Sequence, residues 1–375
     1  MKITCQSQHL KEILKLTARG VKKTSPIPIL QNVKLATDND LGLTLTATDY
    51  DLEITCCLGC NVQEPGAVTV PARQFLEIVG AAAGPEVTIT ADENLQVQIK
   101  SARSRHKLYG INPAEFPSLS ETKDGEGLIL PVSLLRDMFA KVLHAVSKDE
   151  TRTGMTGALL MVKGNGARIA ATDTYRLAVY DIGFEGDTGR EFSALIPKRT
   201  LTEILHFLAS DDEEDEIEVR VDEQQIEFRT RLYTVKSRLL AGQFPNIDKV
   251  IDLVCDNKHD VIVPRHPLIE ALKRMDIVAR DDAHRIKWEV AGRTLFLSAH
   301  ASDLGESGED LEICDTSPPE GMSIWFRADQ LLEALQAFDG DTVTFAYQSA
   351  KRPVSLFPSD GAYFEVLMPV VAPEG

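Results

Sequence analysis

Ile169-Ala170-Ala171-Thr172-Asp173-Thr174-Tyr175-Arg176-Leu177-Ala178-Val179 lies near the middle of the chain. It has an earlier echo in Leu45-Thr46-Ala47-Thr48-Asp49-Tyr50-Asp51-Leu52. The two Thr-Asp pairs stand 124 residues apart, 173 minus 49. A spacing of that size implies a repeat as large as a domain.

The bulk composition agrees with a chain of several domains. At 375 residues there is room for two or three. Apolar residues make up 43% and charged residues 26%, ordinary values for a globular protein. No window approaches the ~18 apolar residues of a membrane span, and the N-terminus carries no long apolar run. The chain is therefore expected to be soluble and cytoplasmic, without a signal peptide. Six cysteines are few for this length; Cys57 and Cys60 fit C-x-x-C, but no second such pair or His pair follows, so reduced thiols are expected rather than zinc. No metal and no cofactor is expected. The net charge of −17 argues against a surface coated in basic residues for tight DNA binding. It leaves room for a local basic face on an acidic body.

Taken in order, residues 8–21 read as a helix burying Leu10, Ile13, Leu14 and Thr17, with Lys11, Lys15 and Arg19 on another face. Strands are expected at 32–37, 42–48 and 51–58, and Pro71 opens a second helix with Phe75, Leu76, Ile78 and Val79 apolar. Strands follow at 86–91, 95–101 and 104–110, and Glu115-Phe116-Pro117 closes the block. Ser118–Gly127 reads as a linker. The cycle restarts with a helix at 133–148, a hairpin at 158–171 turning at Gly164-Asn165-Gly166, and a helix opening at Pro197. Strands at 216–221, 225–230 and 233–240 lead to Gln243-Phe244-Pro245, and 246–259 reads as a second linker. The third pass has helices at 266–279 and 328–338 and strands at 285–290, 294–300, 341–347, 353–357 and 362–369.

The landmarks keep step. Closing prolines fall at 117, 245 and 369, and second-helix glutamates at Glu77, Glu203 and Glu333. Each third reads as two half-units of strand, helix and three strands. The chain is thus three copies of one α+β domain, at 1–122, 128–250 and 256–375.

The order of elements, the Thr-Asp-x-Tyr-Arg-Leu-Ala-Val stretch, Val70-Pro71-Ala72-Arg73, Ser101-Ala102-Arg103-Ser104-Arg105, Ala114-Glu115-Phe116-Pro117 and Val366-Leu367-Met368-Pro369 resemble the bacterial DNA polymerase III beta subunits, the replicative sliding clamps. The resemblance covers essentially the whole chain. It implies a DNA clamp fold of three tandem two-helix, two-sheet domains and a head-to-tail homodimer closing into a six-domain ring. Helices would line the hole, sheets would form the wall, and double-stranded DNA would thread through without sequence preference. Such a protein is a non-catalytic processivity factor. Twelve helices at ~9–10 Å spacing enclose a circle ~35–38 Å across. Subtracting a helix diameter of ~10 Å leaves room for a duplex with a water layer. Contacts would then be to phosphates, sparse and salt-sensitive.

On that reading Lys15, Arg19, Lys22, Lys23, Arg73, Lys141, Lys148, Arg152, Lys198, Arg199 and Arg280 face the lumen, while acidic runs such as Asp211–Glu216 repel DNA outside. The resemblance also implies a cleft taking short peptides from the polymerase III alpha subunit, the clamp loader and other polymerases and repair proteins. The matching positions are Met155, Thr172, Thr174, Tyr175, Arg176, Leu177, Pro245, Lys249, Val250, Arg352, Pro353, Val366, Leu367, Met368, Pro369 and Val370. Met, Leu, Val and Pro would build an apolar trough bordered by Tyr175 and Arg176. Two features depart from the family: Lys249 stands where arginine is common, and the tail Val371–Gly375 runs a little past the usual stop. The dimer contact is expected to pair the strand Arg103–Leu108 with an edge strand of the partner. Arg103, Arg105 and Lys107 would face Glu306, Glu309, Asp310 or Glu312, and Ile277 and Val278 would pack beside Leu108.

Two other classes fit parts of the sequence. Asp49, Asp51 and Asp173 offer carboxylates to an enzyme, but no His or Glu recurs beside them. No G-x-x-x-x-G-K-[ST], H-E-x-x-H or G-x-S-x-G occurs either. An acidic three-repeat scaffold binding proteins without encircling DNA would share the trough and lack a basic lumen.

Overall fold

Six times among the described residues a strand runs directly into a helix and three antiparallel strands follow. The computed structural model describes residues 1–375 except 23, 39–41, 123–126, 185, 210–214, 317–322, 359–360 and 373–375. The first third holds β1 (Lys2–Gln6), α1 (Ser7–Thr17), β2 (Asn32–Asp38), β3 (Gly42–Thr48) and β4 (Leu52–Leu58). A short β5 (Asn61–Glu64) precedes β6 (Ala67–Pro71), α2 (Ala72–Gly80), β7 (Glu86–Ala91), β8 (Gln96–Ser101) and β9 (Ser104–Tyr109). The second holds β10 (Leu128–Pro131), α3 (Val132–Leu143), β11 (Gly157–Lys163), β12 (Gly166–Thr172) and β13 (Arg176–Gly183). Then come β14 (Glu191–Pro197), α4 (Lys198–Leu208), β15 (Glu216–Val221), β16 (Gln225–Arg229) and β17 (Tyr233–Arg238). After α5 (Asp248–Cys255), the third holds β18 (His259–Pro264), α6 (Arg265–Ala279), β19 (Arg285–Ala291), β20 (Thr294–Ala301) and β21 (Gly305–Glu312). A two-residue β22 (Asp315–Thr316) precedes β23 (Ser323–Arg327), α7 (Ala328–Ala337), β24 (Thr342–Tyr347), β25 (Val354–Phe357) and β26 (Tyr363–Leu367).

Proline sets four of the six strand-to-helix switches. Pro71, Pro131, Pro197 and Pro264 each end a strand, and the helix begins at the next residue. A proline there cannot donate to a sheet ladder, and its φ, −57° at Pro71 and −66° at Pro264, leads straight into the helical region. The helices then bury one face. In α1, Leu10, Leu14 and Thr17 are fully covered, at the i, i+4, i+7 spacing of a single stripe.

The chain forms two compact units, one of Met1–Leu134 with Thr202–Leu239, the other of Leu135–Leu201 with Leu240–Gly375. The first unit contains a five-stranded sheet in the order β5-β1-β7-β8-β9 and an eight-stranded sheet β10-β15-β16-β17-β4-β3-β2-β6. The second contains a nine-stranded sheet β14-β11-β12-β13-β26-β25-β24-β18-β22 and a four-stranded sheet β21-β20-β19-β23. In each unit the large sheet is sewn from two repeats through antiparallel third strands. β17 joins β4 with Tyr233 opposite Cys56 and Ser237 opposite Leu52. β26 joins β13 with Tyr363 opposite Tyr180 and Leu367 opposite Arg176. Among the described residues, the third strands β9 and β21 of the two smaller sheets lie at their edges, each paired on one side only.

Three local expectations need correction. The stretch 246–259 is not an open linker, since α5 occupies most of it. Ile247, Val250, Ile251 and Val254 follow the i, i+3, i+4, i+7 rule and pack into one apolar cluster, so the helix signal was there beneath a polar composition. The helix expected at 133–148 ends at Leu143 and gives way to tight turns, which takes Lys148 off the helix. In the β11–β12 hairpin only Gly164 takes a positive φ, +59°, and Asn165 does not.

Candidate functional site

Thr172, Asp173 and Thr174 form the bend between β12 and β13. The Asp173 carboxylate accepts from the backbone N–H of Tyr175 at 2.9 Å and of Arg176 at 3.0 Å. The Thr172 hydroxyl donates to the Arg176 carbonyl at 2.7 Å and accepts from the Thr174 N–H at 3.2 Å. Together they hold Thr174 at φ +80°, a conformation that β-branched residues avoid. The earlier Thr-Asp pair builds the same bend, with Asp49 accepting from Asp51 and Leu52 and Tyr50 at φ +77°. One turn chemistry thus ends the hairpin at both joints.

The bend presents Tyr175 outward, 60% exposed, and turns Arg176 inward, 5% exposed. The Arg176 guanidinium, expected to border the trough, lines the polar cavity beside Tyr175 and is held by Asp173 at 3.1 Å and Glu333 at 2.6 Å, donating to the His144 carbonyl at 2.5 Å. Beside it His144 meets both oxygens of fully buried Glu365 at 3.1 Å, and the Tyr363 hydroxyl donates to that carboxylate at 2.9 Å. Burial, with Glu365 alongside, pushes the Tyr363 phenol well above its ordinary pKa. Removing one partner from such a network leaves a charge without solvent.

The same joint carries the apolar cluster expected to floor the trough. Leu177, Val366 and Val250 pack in one cluster with Ala170, Val179, Ile247 and Val254, fringed by Met161, Phe244, Ile251 and Phe364. Leu177 and Val366 stand directly opposite each other in the β13·β26 ladder, and Leu367 is buried one rung further. The Met368 N–H donates to the Tyr175 carbonyl at 2.8 Å, leaving the methionine 38% exposed at the edge. The Val370 N–H donates to the Trp325 carbonyl at 2.8 Å, and Pro369 is half-buried between them. Met155, Pro245 and Pro353 are half-buried, and Lys249 and Arg352 are exposed. Of the tail, only Val371 and Ala372 are described, both exposed.

A polar cavity of about 340 Å³ adjoins Tyr175 and Arg176, lined also by Arg152, Arg327, Asp329 and Gln330. Arg327 grips Asp329 through two bonds, at 3.0 and 2.6 Å. The residues from α7 and its approach were missed from sequence, because nothing local marks them as neighbours of a turn some 150 residues away.

The other joint explains why only one of the two carries this floor. There the rung equivalent to Leu177–Val366 is Glu53–Lys236. Glu53 is buried and accepts from the Leu119 N–H at 2.9 Å. The same backbone scaffold therefore offers apolar side chains at one joint and charge at the other.

Of the expected lumen residues, Lys15, Lys22, Arg73, Lys148, Arg152, Arg199 and Arg280 are exposed, and Arg19 and Lys198 are half-buried. Lys23 lies outside the described residues, as do Asp211–Glu214 of the acidic run. Lys141 must be withdrawn from the set. Its ammonium is buried over the rings of Tyr180 and Tyr363, at 5.6 and 5.3 Å, and donates to Asp339 at 2.6 Å and the Ala337 carbonyl at 3.0 Å. Arg19 is paired with Glu203, Arg73 with Glu77 at 3.0 Å, Arg152 with Asp149 at 3.4 Å and Arg280 with Asp276 at 3.8 Å. Burial, with Lys148 and Arg176 close by, holds Lys198 below its ordinary pKa. The six repeat helices carry ten Lys and Arg, nine once Lys141 is set aside, against eight Asp and Glu, so the surplus is slight. The surplus is uneven, for α7 carries only acids.

Six like half-units of strand, helix and three strands, joined through their third strands and turning at a repeated Thr-Asp bend, define a three-domain clamp fold. Family models agree in chain order. Residues 1–120 match the N-terminal domain of the DNA polymerase III beta subunit, 129–246 its central domain and 255–371 its C-terminal domain. The beta sliding clamp of Synechococcus elongatus is 30% identical over 362 residues, covering 96% of both chains. That of Bacillus subtilis is 26% identical over 381 residues, covering 99% of both. The crystal structure of the Bacillus subtilis clamp superposes with a TM-score of 0.94 at 25% identity over 99% of each chain. A Bartonella birtlesii clamp bound to griselimycin superposes at 0.92 with 26% identity over 99% of this chain and all of that one. The chain belongs to the DNA polymerase III beta subunit family, the beta sliding clamps.

Proposed function

We propose that two copies of this chain close head to tail around duplex DNA and hold it by topology, while the trough at the β13·β26 joint captures short peptides of polymerases and other replication proteins. The boundaries 1–122, 128–250 and 256–375 are the proposed domains, six to a ring. The cytoplasm is the proposed compartment.

The observation that carries this reading is the pair of third strands that, among the described residues, lie at sheet edges. At both internal joints a third strand of one half-unit pairs with a third strand of another, and β9 and β21 are the two third strands left over. Their charges are complementary. Leu108 and His106 stand opposite buried Val97 and Ile99, so Arg105 and Lys107 point to the other face. On β21, Glu309 and Leu311 stand opposite buried Leu297 and Leu295, so Glu306, Asp310 and Glu312 point to that other face too. Glu309 is turned toward α6 and takes a two-bond fork from Arg274 at 2.6 and 2.7 Å, which removes it from the expected acid set. Carrying over the register of the internal joints sets Leu108 opposite Gly305 of the partner subunit and Lys107 opposite Glu306 of the partner subunit. Ile277, 60% exposed, and half-buried Val278 supply apolar cover beside this seam.

The test is retention. After loading, the protein should stay on nicked circular DNA through a salt wash and run off once the circle is cut. Equal loss from circle and line would refute encirclement.

A further inference from the structure

The joint within the first unit contains a cavity of about 450 Å³ lined by Glu12, Ile13, Leu16, Cys56, Leu232 and Tyr233. The joint in the second unit shows what such a space accepts. Cys56 stands opposite Tyr233 in the β4·β17 ladder, and Tyr180 stands opposite Tyr363 in the β13·β26 ladder. The two rungs are equivalent, four residues past Leu52 and Arg176 respectively.

The helices match as well. α1 and α3 each start where a strand ends, and buried Leu10, Leu14 and Thr17 correspond to Leu135, Phe139 and Val142. Glu12 then corresponds to Asp137 and Leu16 to Lys141. In the second unit the Tyr180 ring lies edge-on to Tyr363, with centroids 6.3 Å apart and planes at 77°. The Lys141 ammonium sits over both rings. In the first unit the corresponding tyrosine is a cysteine, the lysine is a leucine, and the space is unfilled by protein.

We propose that this cavity is a binding site for a small phenol-type aromatic. The ring would lie where Tyr180 lies at the other joint. Tyr233 is already in place as its edge-to-face neighbour, and its own ring is backed by Phe207 at 4.6 Å. Leu16 and Ile13 supply apolar contact in place of the Lys141 stem. Glu12, Lys15 and His206 also line the cavity and offer hydrogen bonds to a hydroxyl. Cavities of ~150 Å³ suffice for benzene, so one substituted ring fits with room for a tail.

The probe is p-cresol, the tyrosine side chain as a free molecule, added to the full chain during thermal unfolding. The wild-type midpoint should rise saturably, by about 2–4 °C at ~10 times the dissociation constant. Cys56→Tyr supplies the ring in cis and should unfold at a higher temperature without responding to p-cresol. Leu16→Trp blocks the space from the helix face without altering the strand, and should likewise abolish the response if Cys56→Tyr fails to fold. Cyclohexanol, of similar size but without a π face, should shift the wild type less than p-cresol. A midpoint that p-cresol leaves unmoved, or moves equally in wild type and Leu16→Trp, overturns the proposal.

Discussion

Asp173 and Arg176 carry two duties within four residues. Asp173 fixes a strained bend by accepting two backbone N–H groups, and it anchors a guanidinium that is almost without solvent. Arg176→Met would leave Glu333 and Asp173 without their cation and should cost about 3 kcal/mol, seen as a lower urea midpoint. Since Tyr175 and Leu177 flank it, a trough-binding peptide should also lose affinity, read by fluorescence anisotropy. A fully retained peptide affinity would show that the bend is set by Asp173 alone. Lys198 gives a pH signature. Its folded pKa lies below the ordinary lysine value, so the unfolded chain keeps the proton to higher pH than the folded chain. The group therefore opposes folding fully below its folded pKa, and the penalty fades as pH rises toward the ordinary value. Lys198→Met should raise the unfolding midpoint near neutral pH, and its advantage over wild type should shrink in alkaline buffer.

At the scale of elements, the chain uses one joint twice and decorates it differently. A ladder of antiparallel third strands is the constant part, and the rung beside the Thr-Asp bend is the variable part. The double variant Leu177→Glu with Val366→Lys copies the Glu53–Lys236 rung into the second joint. We expect it to fold with native circular dichroism and to bind trough peptides at least ~100-fold more weakly, because two apolar side chains worth ~1.5–3 kcal/mol each are lost from the floor. Peptide affinity within a few fold of wild type would place the recognition elsewhere. The repeated strand–helix–strand order was legible in the sequence because it rests on local signals: proline at the switch, one apolar face per helix, alternation in the hairpins. α5 was not, because four apolar residues in a polar stretch carry a helix only when a floor exists to receive them. The resemblance named Leu177, Val250 and Val366, which meet in one apolar cluster, yet it did not name Asp329, Gln330 and Glu333, which line the polar cavity beside Tyr175. They come from a helix whose own pattern reports only which face it buries.

For the whole molecule, charge and closure carry the proposed function. A net charge of −17 works against DNA binding at long range, so on that reading the exposed helix cations would make few, weak and interchangeable phosphate contacts. Replacing Lys15 and Arg199 by glutamine should lower the salt dependence of DNA retention by about one unit of log–log slope per lost phosphate contact, with no change in sequence preference. An unaltered slope would take these two residues off the DNA path. Ile277→Asp with Val278→Asp should yield monomers in light scattering. A charge reversal, Lys107→Glu, should weaken the dimer, and Glu306→Lys in the same chain should restore it. Failure of the second change to rescue the first would contradict the carried-over register.

Local chemistry by itself determined the repeat, the element types and the acidic bulk, because proline, turn aspartates and apolar periodicity act over a few residues. Only the tertiary structure decided which charges are free to serve. Lys141 and Arg176 look in sequence like their neighbours on exposed helices and turns. They are removed from solvent by tyrosines and carboxylates that arrive from far along the chain, and burial at that distance leaves no trace in local spacing.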